Sequence, residues 1–233
     1  MDARDWEASM ATTGEGRGLF LTLEGIDGCG KTTQAARLAD ALEAAGYDVV
    51  RLREPGGTDI SEKIRGLLLD PSNAEMCPEC ELLLYEASRA QLVRQVIAPA
   101  LERGAIVVCD RFFDSTLAYQ EAARGLSSEV VRSANALGSC GVIPDRTVVL
   151  DLDPTLALSR ATAGGADRLE AEGIAFQGRV RDGYLRLVDE EPARVRLVDA
   201  AGTPDEVYSA LLDALADVLP VSLVTEVEHH GRA

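Results

Sequence analysis

The strongest constraint on the fold is a glycine-rich segment, Gly25–Thr32, with the sequence GIDGCGKT. It follows the apolar run Leu19–Leu23 and opens an amphipathic stretch, which is the strand-loop-helix setting of a phosphate-binding loop. Glycines let backbone N–H groups converge on phosphate oxygens, while Lys31 adds a point charge and Thr32 offers a hydroxyl to Mg²⁺. An ordinary strand-to-helix turn would not explain Lys31 and Thr32. A dinucleotide-binding loop is excluded because Thr33 stands where its third glycine would fall.

Periodicity along the chain predicts a parallel sheet covered by helices on both faces. Five β-rich runs alternate with helical patterns. These runs are Leu19–Leu23, Tyr47–Leu52, Ala105–Cys109, Thr147–Leu152 and Val195–Val198. We therefore expect an α/β fold, a three-layer α/β/α sandwich with a five-stranded parallel sheet. It forms a single phosphate-loop domain over residues 19–219, with an N-terminal extension at 1–18 and a C-terminal tail at 220–233.

Helix boundaries are marked by two capping sequences that follow predicted strands. Asp153 is a cap with Pro154 at the first helical position, and Thr203 to Glu206 reads as a capping box that also contains a proline. We expect a helix to begin directly after each cap, the last one covering about residues 204–219.

Charge and cysteine usage narrow the protein class. The net charge is −16, from 39 acidic and 23 basic residues, which argues against coating nucleic acid. An anionic ligand must therefore bind in a local basic pocket. Residues 1–18 resemble neither a signal peptide nor a membrane span. The five cysteines are an odd number, which favours reduced thiols and a cytoplasmic protein.

Cys77 and Cys80 form the one closely spaced cysteine pair. A structural zinc site would need further ligands nearby, and both histidines of the chain, His229 and His230, lie in the tail. Two ordinary cysteines at the start of a helix are the favoured interpretation.

Charged residues follow the second and third predicted strands. Asp110 and Arg111 end the third strand, and Arg53 ends the second. Ligands of open α/β sheets bind beyond the carboxyl ends of the strands, so these side chains are expected at one edge. Asp110 suits Mg²⁺, while both arginines suit a phosphate. A simple Asp110–Arg111 ion pair, and ordinary turn chemistry after Arg53, are the alternatives.

Two further segments have both a functional and a structural interpretation. Tyr85 and Arg89 lie four residues apart on a predicted helix, where they could stack on a base and grip its edge, or be a core tyrosine with a rim arginine. The small-residue stretch at about 160–173 could close over a site as a lid, or be a surface turn with solvated arginines.

The basic residues of these segments are expected to surround one crevice. They are Lys31, Arg53, Arg89, Arg111 and Arg168. This much positive charge in an acidic protein suggests two polyphosphate ligands, hence two nucleotides. Phosphoryl transfer between them needs no general base, because a phosphate monoester oxygen is already an anionic nucleophile.

These motifs, in this order, resemble the thymidylate kinases of the bacterial type, within the nucleoside monophosphate kinase superfamily. The resemblance covers about residues 19–219. Its motifs are Glu24–Thr33, Arg53–Thr58, Asp110–Gln120 and Asp167–Gly173, followed by Phe176, Arg179 and Tyr184. It implies a homodimer in the cytoplasm that transfers phosphate from ATP to dTMP with Mg²⁺, in the pathway to dTTP.

The resemblance also implies roles for individual residues. ATP would be bound by Gly25, Ile26, Asp27, Gly28, Cys29, Gly30, Lys31, Thr32 and Thr33. The dTMP site would comprise Asp27, Arg53, Tyr85, Arg89, Arg111, Ser115, Thr116, Tyr119 and Gln120. Thr32 and Asp110 would hold Mg²⁺, and the catalytic residues would be Lys31, Arg111 and Arg168.

Within the dTMP site, Asp27 would hold the 3′ hydroxyl, Arg53 and Arg111 the phosphate, and Arg89 with Thr116 the thymine edge. Tyr119 would pack beneath the sugar and disfavour a 2′ hydroxyl. The loop has no second basic residue beside Gly28, and such members of the family take their catalytic arginine from the lid. Arg168 is the first choice for it and Arg160 the second.

Three residues depart from the family pattern. Tyr85 replaces a phenylalanine that stacks on the base, Phe112 replaces a tyrosine, and Gln177 replaces a histidine after the lid. The first two keep an aromatic face. The alternatives to a dTMP kinase are a kinase for another or several nucleoside monophosphates and a nucleotide-binding regulatory protein. The sequence disfavours the regulatory protein, because a guanine-reading Asn-Lys-x-Asp motif is missing.

Overall fold

The computed structural model describes residues 17–161 and 168–219. Its strands form one parallel sheet in the order β2-β3-β1-β4-β5. They are β1 (Phe20–Glu24), β2 (Val49–Arg53), β3 (Ile106–Asp110), β4 (Arg146–Asp151) and β5 (Val195–Asp199). The predicted parallel α/β fold is confirmed. The tail at 220–233, and all but the last two residues of the N-terminal extension, lie outside the described residues.

Helices connect successive strands across both faces of the sheet. They are α1 (Lys31–Ala44), α2 (Asp59–Leu69), α3 (Pro78–Leu92), α4 (Ala98–Glu102), α5 (Phe113–Thr116), α6 (Ser128–Gly138), α7 (Pro154–Ala161), α8 (Ile174–Glu190) and α9 (Pro204–Leu215). Two π-helical stretches, Val93–Ile97 and Leu117–Ala123, continue α3 and α5. Short 3₁₀ turns lie at Pro71–Asn73 and Glu170–Glu172. Among the helices of the described ranges, none has the length and apolarity to cross a bilayer.

Alternating residues of the central strand, β1, pack into two separate hydrophobic cores. Leu21 and Leu23 are buried in one core together with Leu38 of α1, whereas Phe20 packs in the other with Leu92 of α3. This alternation follows from the two-residue period of a strand. With both faces covered, the accessible part of the sheet is its edge at the strand ends, where the phosphate loop leaves β1.

The capping sequences place helix starts as predicted. Thr203 Oγ1 accepts from the Glu206 amide at 3.3 Å, and Glu206 Oε2 accepts from the Thr203 amide at 2.8 Å. Asp153 Oδ1 accepts from the Thr155 amide at 2.8 Å, at the start of α7. The last helix ends at Leu215, four residues earlier than expected. Pro220 follows in the sequence, and a proline disfavours helical geometry in the residue before it.

Candidate active site

A crevice of about 770 Å³ lies at the carboxyl ends of the strands. This volume is in the range of small-molecule sites. Most of the site residues predicted from the sequence line it. They are Asp27, Gly28, Cys29, Gly30, Lys31, Thr32, Thr33, Arg53, Tyr85, Asp110, Arg111, Ser115, Thr116, Tyr119 and Gln120. Gly25, Ile26, Arg89 and Arg168 are not among the lining residues.

The phosphate loop forms one end of this crevice. Gly28 and Gly30 have φ of 80° and 98°, left-handed geometry that favours glycine. Lys31 begins α1, and its Nζ donates to the Ile26 carbonyl at 2.8 Å, so the ammonium folds back across the loop. The loop thus presents backbone amides, a helix N-terminus and a buried cation at one place, which is the arrangement that binds phosphate.

Thr32 and Asp110 meet beside the loop. The Thr32 hydroxyl donates to Asp110 Oδ2 at 2.6 Å, and both residues line the crevice. Clusters of three or more His, Cys, Asp or Glu that could hold a metal are absent from the described ranges. A divalent cation here would therefore take its other ligands from phosphates and water, as Mg²⁺ does. The oxygen pair fits that cation.

Arg111 combines an unusual backbone angle with several hydrogen bonds in the crevice. Its φ of 74° is left-handed, which is unusual for a non-glycine residue and typical of functional sites. Its guanidinium donates to the Gly25 carbonyl at 2.9 Å, to the Tyr119 hydroxyl at 3.1 Å and to Asp27. These contacts fix the guanidinium between the phosphate loop and the opposite wall.

The carboxylate of Asp27 stays ionised in this setting. Burial raises its pKa, but Arg111, Lys31 and hydrogen bonds from Tyr119 and Gln177 outweigh that effect and hold the pKa below its usual value. The Tyr119 hydroxyl donates to Asp27 Oδ2 at 3.0 Å, and burial raises the pKa of that tyrosine. Asp27 is thus an acceptor-only group in the crevice.

Arg53 approaches the crevice from the end of β2. Its side chain is 47 % exposed and donates to Glu62 Oε2 at 3.1 Å and to the Pro55 carbonyl at 3.1 Å. An exposed ion pair of this kind is weak. Arg53 can therefore exchange Glu62 for an anionic ligand at low cost.

The structure separates Arg89 from the crevice. Its side chain is 1 % exposed and is paired with Glu54, at 2.8 Å from Nε to Oε2, and with Glu86. The expected neighbour on the helix, Tyr85, lines the crevice, but the Arg89 guanidinium lies over the ring of Phe112 instead, 5.4 Å from its centroid. Neither sequence-based alternative was right for Arg89, which is a core arginine rather than a rim arginine.

The two lid arginines differ in placement. Arg168 is 6 % exposed, ion-paired with Glu81 at 2.5 Å and bonded through Nε to the Leu68 carbonyl at 2.8 Å. Its guanidinium is therefore committed to the core instead of the crevice, contrary to the sequence-based expectation. Arg160, the second choice, lines the crevice. The lid residues 162–167 between them lie outside the described residues.

The carboxyl group of Glu24 organises the floor of the site, a role that was not predicted from the sequence. It accepts from the Phe112 amide at 2.6 Å, from Ser115 Oγ at 2.6 Å and from the Tyr184 hydroxyl at 2.7 Å. Burial, with a further contribution from Asp114, raises its pKa. The sequence does contain a signal for this role, because Glu24 is a charged residue at the end of an apolar strand, directly before the phosphate loop.

Glu54 makes stability dependent on pH. Burial, only partly offset by Arg89, raises its pKa from 4.5 to about 7. The pKa of Glu54 is higher in the folded protein than in the unfolded chain, so protonated Glu54 favours the folded state. Its contribution to the free energy of unfolding is complete below about pH 4.5 and is lost as pH rises through 7. Between pH 4.5 and 8 we expect wild type to lose about 3 kcal/mol relative to Glu54→Gln.

Urea unfolding of both proteins across this pH range measures the difference. The exposed Glu102→Gln substitution is the matched control and should track wild type at every pH. If the difference in free energy of unfolding between wild type and Glu54→Gln stayed constant across this pH range, the expectation would be contradicted.

Comparison with known proteins supports the family that the sequence motifs resemble. A family model described as Thymidylate kinase matches residues 23–211. The thymidylate kinase of Trichlorobacter lovleyi is 48% identical over 210 residues, covering 87% of this chain and 99% of the relative. That of Deinococcus radiodurans is 50% identical over 202 residues, covering 86% and 98%. The crystal structure of thymidylate kinase from Ehrlichia chaffeensis has a TM-score of 0.71 at 32% identity, covering 87% of this chain and all of that one.

Proposed function

This chain belongs to the thymidylate kinase family, and from that premise we propose how its residues carry out the reaction. The protein transfers the γ-phosphoryl group of ATP to dTMP, giving ADP and dTDP, a step toward dTTP. The observation that carries the residue assignment is the single crevice with two unlike ends. One end is the phosphate loop, and the other combines Arg53, an aromatic side chain and polar groups.

ATP binds at the phosphate loop, with the β- and γ-phosphates against the amides of 28–33 and the ammonium of Lys31. Thr32 Oγ1 and Asp110, the latter directly or through water, would hold Mg²⁺. The 2.6 Å contact between these two side chains supports a shared ligand there. When bound, the cation neutralises developing charge on the phosphate oxygens.

dTMP binds at the other end. Arg53 and Arg111 hold its phosphate, Asp27 holds the 3′ hydroxyl, and Tyr119 packs beneath the sugar where a 2′ hydroxyl would project. Tyr85 stacks on thymine and Thr116 meets its edge; both line the crevice. Ser115 and Gln120 complete the wall. For Arg89 we propose a supporting role behind this wall.

The chemical step needs positioning more than proton transfer. The dTMP phosphate oxygen is anionic and attacks the γ-phosphorus in line, so the protein must align two phosphates and neutralise their charge. Arg111 can bridge the two ends, because its guanidinium contacts both the Gly25 carbonyl of the loop and the Tyr119 hydroxyl of the proposed acceptor site. Lys31 remains with the transferred group throughout.

The direct test of this function is release of ADP that depends on the acceptor. Purified protein with ATP and Mg²⁺ should release ADP rapidly with dTMP, slowly with dUMP, and at background with UMP, dGMP or AMP. Equal release with several acceptors would favour a broad nucleoside monophosphate kinase. ATP consumption without any acceptor would favour a regulatory nucleotide-binding protein.

For the catalytic arginine of the lid we propose Arg160, since it lines the crevice whereas Arg168 is bound to Glu81. We expect Arg160→Ala to lower kcat about 10- to 100-fold with little change in the KM for dTMP. Arg168→Ala should leave kcat within about threefold and lower the free energy of unfolding by about 2 kcal/mol, because Glu81 keeps only Arg124 as a cation.

Steady-state kinetics and thermal unfolding of the two variants measure these effects side by side. A large loss of kcat in Arg168→Ala, with Arg160→Ala unaffected, would restore Arg168 to the donor site.

We also propose a homodimer, as the family resemblance implied. Exposed apolar residues recur seven positions apart on two helices, Ile60 and Leu67 on α2 and Val130 and Leu137 on α6. Both helices pack against α3, which adds exposed Leu83. Exposed apolar stripes on adjacent helices favour self-association. Sedimentation velocity should give a dimer at micromolar concentration, and a monomer there would contradict the proposal.

Finally, we propose that the protein is cytoplasmic. Its five cysteines, all within the described ranges, are free, which suits a reducing compartment. Cys77 and Cys80 are exposed at the start of α3.

A further inference from the structure

A buried carboxylate lies directly behind the wall proposed to meet thymine. Glu86 of α3 is 6 % exposed, and its Oε1 accepts from Thr116 Oγ1 at 3.2 Å and from Arg89 Nη1. Thr116 itself lines the crevice, whereas Glu86 is not among the lining residues. The carboxylate therefore contacts the hydroxyl of a buried residue that lines the crevice.

The position of Glu86 is sterically fixed. Its Oε2 lies against Gly138 at the end of α6, so closely that a Cβ on that residue would be 1.9 Å from the oxygen. Glu86 Oε1 in turn is held by Arg89, which is itself paired with Glu54. The Thr116 hydroxyl thus has a preorganised acceptor on the side away from the crevice.

This contact sets the hydrogen-bonding polarity of Thr116. A hydroxyl has one proton and two lone pairs. Because the Thr116 proton is directed to Glu86, only its lone pairs remain for a group in the crevice, and that group must donate. The imide N3–H of thymine or uracil donates, whereas N3 of cytosine carries no proton and can only accept.

We propose that Glu86 is a positioning residue for base selection: by accepting the hydrogen bond of the Thr116 hydroxyl, it makes that hydroxyl an obligatory acceptor toward the crevice and selects imide pyrimidines against aminopyrimidines. The inference deepens the proposed function and rests on its placement of the base against Thr116. An acceptor facing an acceptor leaves a buried polar group unpaired, and sites built this way discriminate strongly.

The test compares kcat/KM for dTMP and 5-methyl-dCMP, which have the same shape and differ in the donors and acceptors of the base edge. Glu86→Met removes the acceptor at similar volume while Arg89 keeps Glu54 and Asn135. We expect the preference for dTMP to fall about tenfold or more, the cost of one mispaired buried group. Glu86→Gln should retain the preference, since its amide oxygen can replace Oε1.

One substrate ratio and one control variant serve as internal controls. The preference for dTMP over dUMP, which differ in a methyl group, should be unchanged in every Glu86 variant. The exposed Glu79→Gln on the same helix should match wild type throughout. A wild-type preference in Glu86→Met would overturn the inference, as would equal loss in Glu86→Gln, which would mean that charge matters and not the acceptor.

Two further variants cover the remaining outcomes. If Glu86→Met does not fold, Gly138→Ala displaces the same carboxylate by steric contact and should also lower the preference for dTMP over 5-methyl-dCMP. An unchanged preference in folded Gly138→Ala would overturn the inference. Thr116→Val tests the proposed site itself. If it leaves the preference unchanged, the base does not lie against Thr116; if it alone narrows the preference, only the role of Glu86 fails.

Discussion

Replacing Lys31 by alanine is expected to lower kcat by about a thousandfold or more, while the protein stays folded and the affinity for dTMP changes little. Lys31 is 6 % exposed, and its ammonium lies across the phosphate loop on the Ile26 carbonyl. In the proposed role, it neutralises charge on the phosphate oxygens of ATP as the phosphoryl group moves. Because we propose that dTMP binds at the other end of the crevice, we expect its binding not to depend on this cation.

The chain offers a matched control for this substitution, since Lys63 is the other of its two lysines and is exposed on α2. Lys63→Ala should match wild type in both kcat and stability. Steady-state kinetics and equilibrium binding of dTMP separate the two effects. If Lys31→Ala kept most of its turnover, or lost dTMP affinity as severely as turnover, the assignment of Lys31 to the donor end would fail.

Replacing Arg111 by lysine is expected to raise the KM for dTMP about a hundredfold and to lower kcat as well. The guanidinium reaches Gly25, Asp27 and Tyr119 at once, and the single ammonium of lysine cannot reproduce that planar fork. Lysine is preferred over alanine for the test because it keeps a cation beside the ionised Asp27. Removing the cation would leave the partly buried Asp27 carboxylate without its arginine partner, so a loss of stability would be mixed with the loss of dTMP binding.

Arg94→Lys, on an exposed residue, controls for the exchange itself and should have no effect. Thermal unfolding should show that Arg111→Lys remains folded. An unchanged KM for dTMP would show that Arg53 alone binds the acceptor phosphate, and an effect confined to the KM for ATP would move Arg111 to the donor end.

Much of the architecture was predictable because its signals are local. The five strands begin and end within two residues of their predicted bounds, and capping residues place the starts of α7 and α9. Such signals depend on residues a few positions apart, whose geometry the backbone itself constrains. The end of α9 was predicted four residues too late, because the apolar period continues past Leu215, where the helix ends.

The candidate site was less predictable, and the misplaced residues are long side chains. Arg89 and Arg168 were both expected at the crevice, and both are buried against carboxylates distant in the sequence. A long arginine side chain can reach in several directions, and desolvation makes it pair with whatever carboxylate the fold brings near. The sequence around those partners, Glu54 and Glu81, does not indicate that they pair with buried arginines.

By itself, the sequence of this protein indicated a phosphate-binding loop, a parallel sheet and the family, and it predicted two nucleotide sites. These follow from short motifs and from the periods of strands and helices, which residues close in the chain encode. The tertiary structure alone decided which arginines reach the crevice and that Glu86 accepts a hydrogen bond from Thr116. That contact joins residues 30 positions apart, and only the packing of α3 against the site brings them together.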